Sequence, residues 1–160
     1  MKLPKSARLH HRSLQESLFR EGKPIFTTRL KMVWRAIDEE TLAKGFRDKI
    51  PPLIGPVQLL VSVPKKRRRK AVDRVLMRRR IREAYRASAA SLISKVDDIE
   101  GIRTVSVALI YCKDFNAPYK DVLEDVRKLI EKLTNKLESK YKKDNTEIQR
   151  DSDLDDGLAD

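Results

Sequence analysis

The sequence predicts an α+β domain in which helices pack on a small mixed sheet, in the order α-β-β-β-α-β-α. Three stretches have strand patterns and three have the apolar spacing of amphipathic helices, with room for a fourth strand near Ile25 or Ile54. At 160 residues the chain is long enough for one domain with a single modest core. The element order and the length together predict a layer of helices on one sheet.

The first half of the chain predicts a helix, a strand and a connection. In residues 8–22 the apolar side chains fall near one helical face, and Gly22 supplies a stop signal. In residues 25–37 apolar side chains alternate with charged ones and β-branched and aromatic types are common, which is a strand pattern. Residues 38–56 are mixed in charge and rich in proline near their end, so they predict a connection with room for one helical turn.

The second half predicts two further strands and two helices. Residues 57–63 form a strand that Pro64 ends, a basic helix covers about 69–95, and residues 104–111 are apolar enough for a central strand. Pro118 and Tyr119 open a last helix whose apolar residues recur every three or four positions. Residues 1–142 are therefore predicted as the domain and residues 143–160 as an acidic, disordered tail. Residues 144–160 carry seven acids and one Arg, a net charge of −6, which leaves +18 on the rest.

The most basic part of the chain lies between Lys65 and Arg86, where twelve Lys or Arg residues face two acids. A folded domain rarely tolerates this self-repulsion unless a polyanion neutralises it, and nucleic acid is the commonest polyanion in a cell. A solvated charged face is the alternative, but Asp73 and Glu83 alone cannot balance the field. Charge does not distinguish RNA from DNA, although no zinc-finger spacing or leucine heptad adjoins this segment.

The basic helix separates into two faces at 100° per residue. One stripe is predicted to face the sheet and comprises Met77, Ile81, Ala84, Ser88 and Leu92. Arg78, Arg82 and Arg86 stack on a different arc with Arg79 beside them, which is a spacing suited to successive phosphates. The Lys65 to Lys70 run extends this charge beyond the N-terminus of the helix, where exposed amides also favour anions.

Several other kinds of site have no support in the sequence. The single Cys112 excludes an internal disulfide framework, and no Gly-rich phosphate loop or gathered set of acids predicts a catalytic or metal site. The adjacent His10 and His11 point about 100° apart on a helix, so a solvated or RNA-facing role is favoured over a metal site. No long apolar run or secretory signal is present, so the expected location is the cytoplasm, with no membrane partner.

The basic block resembles the protein component of bacterial ribonuclease P. In that family a strand ends in a Ser-Val-(Ser/Pro)-Lys-Lys type of sequence, Ala-Val follows a short basic stretch, and a helix opens with Arg-Asn-Arg-Ile-Lys-Arg and closes on Arg-Glu and an aromatic. The corresponding residues here are Ser62, Val63, Pro64, Lys65, Lys66, Ala71, Val72, Asp73, Arg74, Met77, Arg78, Arg79, Ile81, Arg82, Glu83 and Tyr85. Segments near Arg8-Leu9, Phe19, Ile110 and Pro118 agree, so the resemblance covers roughly residues 5–140.

The resemblance implies a left-handed βαβ crossover through the Arg-rich helix and an accessory subunit of a ribonucleoprotein endonuclease that matures the 5′ end of tRNA. The implied partners are a catalytic RNA subunit and precursor tRNA, with Mg²⁺ held by the RNA subunit or at the RNA–protein interface. No catalytic residue, metal ligand or obligate protein partner is implied on this chain. The implied RNA-binding residues are Lys65, Lys66, Arg67, Arg68, Arg74, Arg78, Arg79, Arg82 and Arg86.

A cleft for the single-stranded 5′ leader of precursor tRNA is also implied, with Phe19, Lys31 and Lys113 as candidates. A core position is the alternative for Phe19, and Trp34 is expected in the core. The chain departs from the family at Val75 and Leu76, which replace Asn and Arg, and at Arg80, an extra charge. The rival hypotheses are a structural ribosomal-type RNA-binding protein and a DNA-binding module.

Overall fold

Four strands form one sheet with helices on both faces. The structure is a computed structural model that describes residues 3–47 and 49–158, with side chains described as far as Tyr141. Within that part of the chain a short 3-10 helix, Lys5–Ala7, comes first. The remaining elements are α1 (Arg12–Glu21), β1 (Lys23–Phe26), β2 (Leu30–Ile37), α2 (Glu39–Gly45), β3 (Val57–Ser62), α3 (Ala71–Ser88), α4 (Ala90–Asp98), β4 (Thr104–Tyr111) and α5 (Tyr119–Leu158).

The sheet is mixed and its strand order is β1-β2-β4-β3. β1 and β2 form an antiparallel hairpin, β2 pairs antiparallel with β4, and β4 pairs parallel with β3. Two parallel neighbours cannot be joined by a hairpin, so the chain crosses over from β3 to β4 through α3 and α4. The predicted α+β class and four-stranded mixed sheet are confirmed. The basic helix therefore lies within the crossover.

The core has two parts because β4 buries side chains on both faces. On one face α3, α4 and α5 pack on the sheet, with Met77, Trp34 and Val107 among the residues buried there. On the other face α1 and α2 cover a smaller cluster that includes Leu18 and Ala108. The predictions that β4 is central and that Trp34 belongs to the core are confirmed. Burial on both faces makes β4 the strand that fixes the positions of α1 and α3 relative to each other.

Gly22 ends α1 because no other residue fits there. A Cβ at this position would lie 2.3 Å from the Leu18 carbonyl oxygen and 2.6 Å from Cγ1 of Val33 on β2. The φ of Gly22 is −71°, so the requirement for glycine comes from this close approach and not from a left-handed backbone. The predicted helix stop is confirmed, and the end of α1 is held tightly against the sheet.

The structure corrects three predicted boundaries and places a short helix in the predicted connection. Residues 8 and 9 are not helical, because Arg8 bridges to Leu59 of β3 and the Leu9 amide donates to the Leu59 carbonyl at 3.0 Å. The predicted strand over 25–37 divides into β1 and β2. The basic helix divides at Ala89, which keeps helical dihedrals between α3 and α4. The 38–56 connection contains α2, which is capped where the Thr41 amide donates to the Asp38 side chain at 2.7 Å.

A long-range ion pair holds the hairpin in place. Arg29 in the hairpin turn pairs with the buried Asp125 of α5 at 3.1 Å, which fixes the turn against that helix. The backbone of residues 143–158 in the predicted tail continues α5, which does not support the predicted disorder; their side chains lie outside the description, and the domain boundary before them stays a prediction. Among the described helices, none combines the length and apolar composition that a membrane span requires.

Candidate nucleic-acid interface

The outer face of α3 is exposed because its opposite face is buried. Met77, Ile81 and Ala84 are fully buried against the sheet and α5, as the stripe predicted. Their burial turns Arg79, Arg82 and Arg86 outward on the solvent side of the helix. We call these three exposed arginines the arginine wall. Arg78 lies on a flank of the helix and is half-buried, so the predicted ridge is shifted towards Arg79.

Within the described residues, the acids near the arginine wall neutralise little of its charge. Arg79 pairs with Glu83 one turn further on, at 3.3 Å, and both side chains are largely exposed. An exposed i, i+4 pair of this kind is worth only a few tenths of a kcal/mol, so it yields readily to a phosphate. Arg82 has no described acidic partner. Arg79 and Arg82 are therefore available for an anionic ligand.

Two of the predicted RNA-binding arginines are used inside the protein. We call residues 65–70 the basic loop. The Arg74 guanidinium Nη1 donates to the carbonyls of Arg68 at 3.0 Å and Arg69 at 2.7 Å. Arg68 pairs with Asp73 at 3.0 Å and also donates to the Asp114 carbonyl. Arg68 and Arg74 thus hold the basic loop in shape. The neighbouring cations Lys65, Lys66 and Arg67 remain exposed.

The loop between β4 and α5, residues 112–118, is fixed on the first half of α3. Arg80 donates to the Ala117 carbonyl at 2.7 Å, and Asn116 Nδ2 donates to Asp73 Oδ1 at 3.0 Å. The Tyr111 hydroxyl donates to the Phe115 carbonyl and accepts from the Ala117 amide at 3.2 Å. Burial raises the pKa of Tyr111, so this hydroxyl stays protonated at neutral pH. Arg80, the charge that departs from the family pattern, therefore has a structural role.

Two of the predicted leader candidates, Phe19 and Lys31, lie on the α1 side of the sheet. Phe19 is 52% exposed, so the alternative that it belongs to the core is wrong. Lys31 on β2 lies opposite Phe26 on β1, with its Nζ 5.6 Å from the centre of the Phe26 ring. Lys113 is half-buried just after β4, and no described hydrogen bond or ion pair joins it to Phe19 or Lys31. The structure therefore places Lys31 beside an aromatic but leaves Lys113 separate.

Phe26 is an exposed aromatic that the sequence reasoning missed. It is 60% exposed, whereas its neighbour Ile25 is buried on the opposite face of the sheet. The signal was present in the alternation of the short strand β1. A single strand over residues 25–37, as the sequence predicts, would not pair Phe26 with Lys31, whereas the hairpin does. A cation at this distance from a ring forms a composite platform for a nucleobase.

The described residues do not fit a protein-held metal site. No group of three or more His, Cys, Asp or Glu side chains in this part of the chain could hold a metal ion. His10 and His11 precede α1, so the prediction that they lie on a helix is wrong. Their ring centres are 4.2 Å apart with the planes tilted by 36°, and His11 packs edge-on against Phe46 at 5.1 Å. Burial, and next the His10 charge, lower the pKa of His11. His11 is therefore a neutral packing residue at pH 7, and His10 is the exposed member of the pair.

An arginine wall and a basic loop carried on a mixed sheet are typical of a nucleic-acid-binding domain of the α+β class. The family model described as Ribonuclease P matches residues 3–134 of the chain. The ribonuclease P protein component of Porphyromonas gingivalis strain W83 is 32% identical over 108 residues, which is 68% of this chain and 70% of that protein. The chain belongs to the ribonuclease P protein component family, the protein subunit of the ribonucleoprotein endoribonuclease that matures the 5′ end of tRNA.

Solved structures support the fold. The RNase P protein of Staphylococcus aureus superposes with a TM-score of 0.55 at 15% identity, covering 79% of this chain and 94% of that one. The RNase P protein from Thermotoga maritima gives a TM-score of 0.53 at 19% identity, covering 78% of this chain and 96% of that one. Membership of the family implies an RNA subunit as partner.

Proposed function

We propose that the chain promotes 5′ maturation of tRNA by docking the arginine wall and the basic loop on the catalytic RNA subunit. The observation that carries this proposal is the exposure of three arginines on one face of α3, opposite a fully buried apolar stripe. Each guanidinium can donate two parallel hydrogen bonds to a phosphate. Lys65, Lys66 and Arg67 extend the same charge beyond the start of the helix. Arg78 adds to it from the flank.

A second surface holds the single-stranded 5′ leader of precursor tRNA. Phe19 and Phe26 are exposed aromatics on which unpaired bases can stack, and stacking tolerates any base because each has a π face. Lys31 supplies a positive charge beside Phe26 for the leader phosphates. Lys113 is a further leader contact at the end of β4. Binding the leader and the RNA subunit together raises the affinity of the holoenzyme for its substrate.

The chemistry belongs to the RNA subunit. Mg²⁺ is held there or at the RNA–protein interface, and the protein contributes by neutralising phosphates around it. The holoenzyme works in the cytoplasm, and the protein needs no obligate protein partner. We also infer that the crossover from β3 through α3 to β4 is left-handed, as the family resemblance implies, which an experimental structure would test.

Cleavage of precursor tRNA at low Mg²⁺ tests the docking proposal. The RNA subunit encoded in the same genome is assayed with and without the protein, and strong stimulation by the protein is expected. Replacing Arg78, Arg79 and Arg82 together by Gln should abolish most of the stimulation, because three phosphate contacts are lost. Replacing Lys44, Lys128 and Lys136 by Gln changes the net charge equally on other helices and should leave it nearly intact.

The leader proposal is tested in the same assay with a shortened substrate. Stimulation should fall when the 5′ leader is cut to one or two nucleotides, and Phe26→Ala should weaken binding of the long-leader substrate only.

Full stimulation by the triple arginine variant would overturn the docking proposal. Tight RNA binding without stimulation of cleavage by the wild-type protein would overturn both proposals and favour a structural RNA-binding role.

A further inference from the structure

A groove of about 720 Å³ lies at the outer edge of β3, between that strand, the N-terminal segment and the outer face of α3. Its floor is apolar and includes Leu3, Leu59 and Val61, while the arginine wall forms one side. The opposite lip is formed by His10 and Gln15. The volume lies in the range of about 300–1,000 Å³ that small-ligand sites occupy. An apolar floor beneath three guanidiniums fits a ligand with one flat apolar part and several negative charges.

The wall has the length and charge for a short stretch of nucleic-acid backbone. From Arg79 to Arg86 the helix rises about 10.5 Å, so successive phosphates of one strand can each meet an arginine. Glu83 is the one acid that lines the groove, and Arg8 lines it from the N-terminal side. The floor offers nothing to a phosphate, but it can take the face of a base that is not stacked in a helix. An acidic peptide would satisfy the arginines and leave the floor empty.

The two lip residues are held in place by backbone hydrogen bonds. Gln15 Nε2 donates to the Leu9 carbonyl at 2.8 Å, which fixes the amide and leaves its Oε1 as an acceptor. His10 Nδ1 lies 3.1 Å from the Arg8 carbonyl, and the ring is exposed. A planar ring can stack on a base, and a fixed amide oxygen can accept from the ring N–H or the amino group of a base. The lip therefore suits a nucleobase.

We propose that this groove binds an unstacked nucleotide in a single-stranded segment of the RNA subunit, with the base on the floor and lip and the phosphates on the arginine wall. This inference rests on the proposed function, because it takes the RNA subunit as the partner of α3. The RNA subunit is preferred over the leader because the arginine wall forms one side of the groove, whereas the leader surface meets it only near Gln15, one turn from Phe19 on α1, and its other members, Phe26 and Lys31, lie towards the β1 edge. Three strand spacings, about 14 Å, separate β1 from β3 at the opposite edge.

The first test compares two hexanucleotides that carry equal charge. Fluorescence anisotropy would measure binding of the full chain to hexauridylate and to an abasic hexamer of the same length. A base in the groove should make hexauridylate bind at least about fivefold tighter. His10→Ala should remove most of that difference without changing the abasic affinity. His11→Ala is the matched control, since His11 packs on Phe46 and does not line the groove, and it should keep the difference.

The second test identifies the source of the nucleotide. The RNA subunit, substituted with 4-thiouridine, is assembled with the protein and with precursor tRNA and irradiated. Cross-links from the RNA subunit to peptides containing His10 or Arg82 are expected. Cross-links to those peptides from a 4-thiouridine-labelled leader alone would overturn the proposal, as would equal affinity for the two hexamers. Displacement of hexauridylate by polyglutamate at equal charge concentration would also overturn it, because negative charge alone would then account for binding in the groove.

These outcomes separate the groove from the proposed function. Strong stimulation of precursor cleavage together with equal binding of the two hexamers would overturn the groove and leave the docking of the arginine wall on the RNA subunit standing. Base-dependent binding and RNA-subunit cross-links without stimulation of cleavage would support the groove and overturn the proposed function. Circular dichroism of the His10 and His11 variants confirms that each is folded before binding is compared.

Discussion

Tyr85 places a polar atom in the core directly beneath the arginine wall. The side chain is 2% exposed, and its hydroxyl has no described hydrogen-bond partner. Burial raises the pKa of Tyr85 to about 12, because the phenolate cannot be solvated there. The buried ring contributes to the stripe that turns the arginines outward. No hydrogen bond of the hydroxyl that would stabilise the fold is described.

Replacing Tyr85 by Phe should therefore not weaken the fold at neutral pH. Removing an unpaired buried hydroxyl is expected to be neutral or to stabilise by about 1 kcal/mol, measured as the free energy of unfolding in urea at pH 7. Destabilisation by more than about 1 kcal/mol would show that the hydroxyl has a partner. Binding of the RNA subunit should be unchanged, since the ring position is kept.

The same variant has a signature at alkaline pH. The unfolded tyrosine ionises near pH 10, whereas the folded one ionises at about 12. The contribution of Tyr85 to the free energy of unfolding of the wild type is therefore constant below pH 10, and it falls as the pH rises from 10 towards 12. Tyr85→Phe should escape this loss, so its advantage over wild type should grow by roughly 2–3 kcal/mol across that window. A constant difference between the two proteins from pH 9 to pH 11.5 would contradict this.

At the scale of elements, the arginines in and beside the basic loop are of two kinds, those with partners inside the protein and those that are exposed. Arg68 connects the loop to α3 and to the β4–α5 loop through Asp73 and the Asp114 carbonyl. Arg74 closes the same loop from the first turns of α3. Arg67, immediately beside Arg68, is exposed and has no described partner. The two neighbours therefore form a matched pair for separating the two roles.

Arg68→Gln and Arg67→Gln should have opposite effects. Arg68→Gln removes a partly buried ion pair and should lower the free energy of unfolding by about 1–3 kcal/mol. Arg67→Gln should change stability by less than about 0.5 kcal/mol. It should instead make the slope of log affinity against log salt less steep, by about the amount that one phosphate contact contributes. Titrations of the RNA subunit at several salt concentrations would measure this slope. Equal losses of stability in the two variants would rule out this division.

At the scale of the whole molecule, the charge is distributed very unevenly along the chain. Residues 144–160 carry a net charge of −6, and the rest carries +18. The acidic segment can act as an intramolecular competitor that screens the arginine wall and the basic loop before RNA binds. Electrostatic screening of this kind weakens as salt is added, because the Debye length shrinks to about 8 Å at physiological ionic strength.

Deleting residues 144–160 should tighten nonspecific RNA binding several-fold at low salt and have little effect at high salt. Filter binding or anisotropy with an unrelated structured RNA at 20 and 300 mM salt would measure this. A full-length variant with the seven acids of this segment changed to Asn or Gln should behave like the deletion. If that variant binds like the wild type, the charge of the segment does not screen the surface.

The sequence by itself determined which face of each main element is buried. Apolar periodicity identified the buried stripe of α3, the central position of β4 and the core position of Trp34, because these depend on side chains close together in the chain. The run of cations between Lys65 and Arg86 likewise indicated a polyanion partner without any coordinates. The motif spacing around that run indicated the family, which the comparisons confirmed.

Only the tertiary structure decided what each charged or aromatic side chain is used for. The structure shows that Arg68, one of the predicted RNA-binding residues, contacts Asp114, which lies 46 residues away, and no local pattern indicates that contact. Phe26 was unrecognised until the hairpin paired it with Lys31, and the groove exists only because α3 crosses beside β3 and the N-terminal segment. Periodicity and charge are local properties of the chain. The groups that a given side chain contacts depend on which distant segments pack together, and that packing is fixed when the two faces of the sheet are buried.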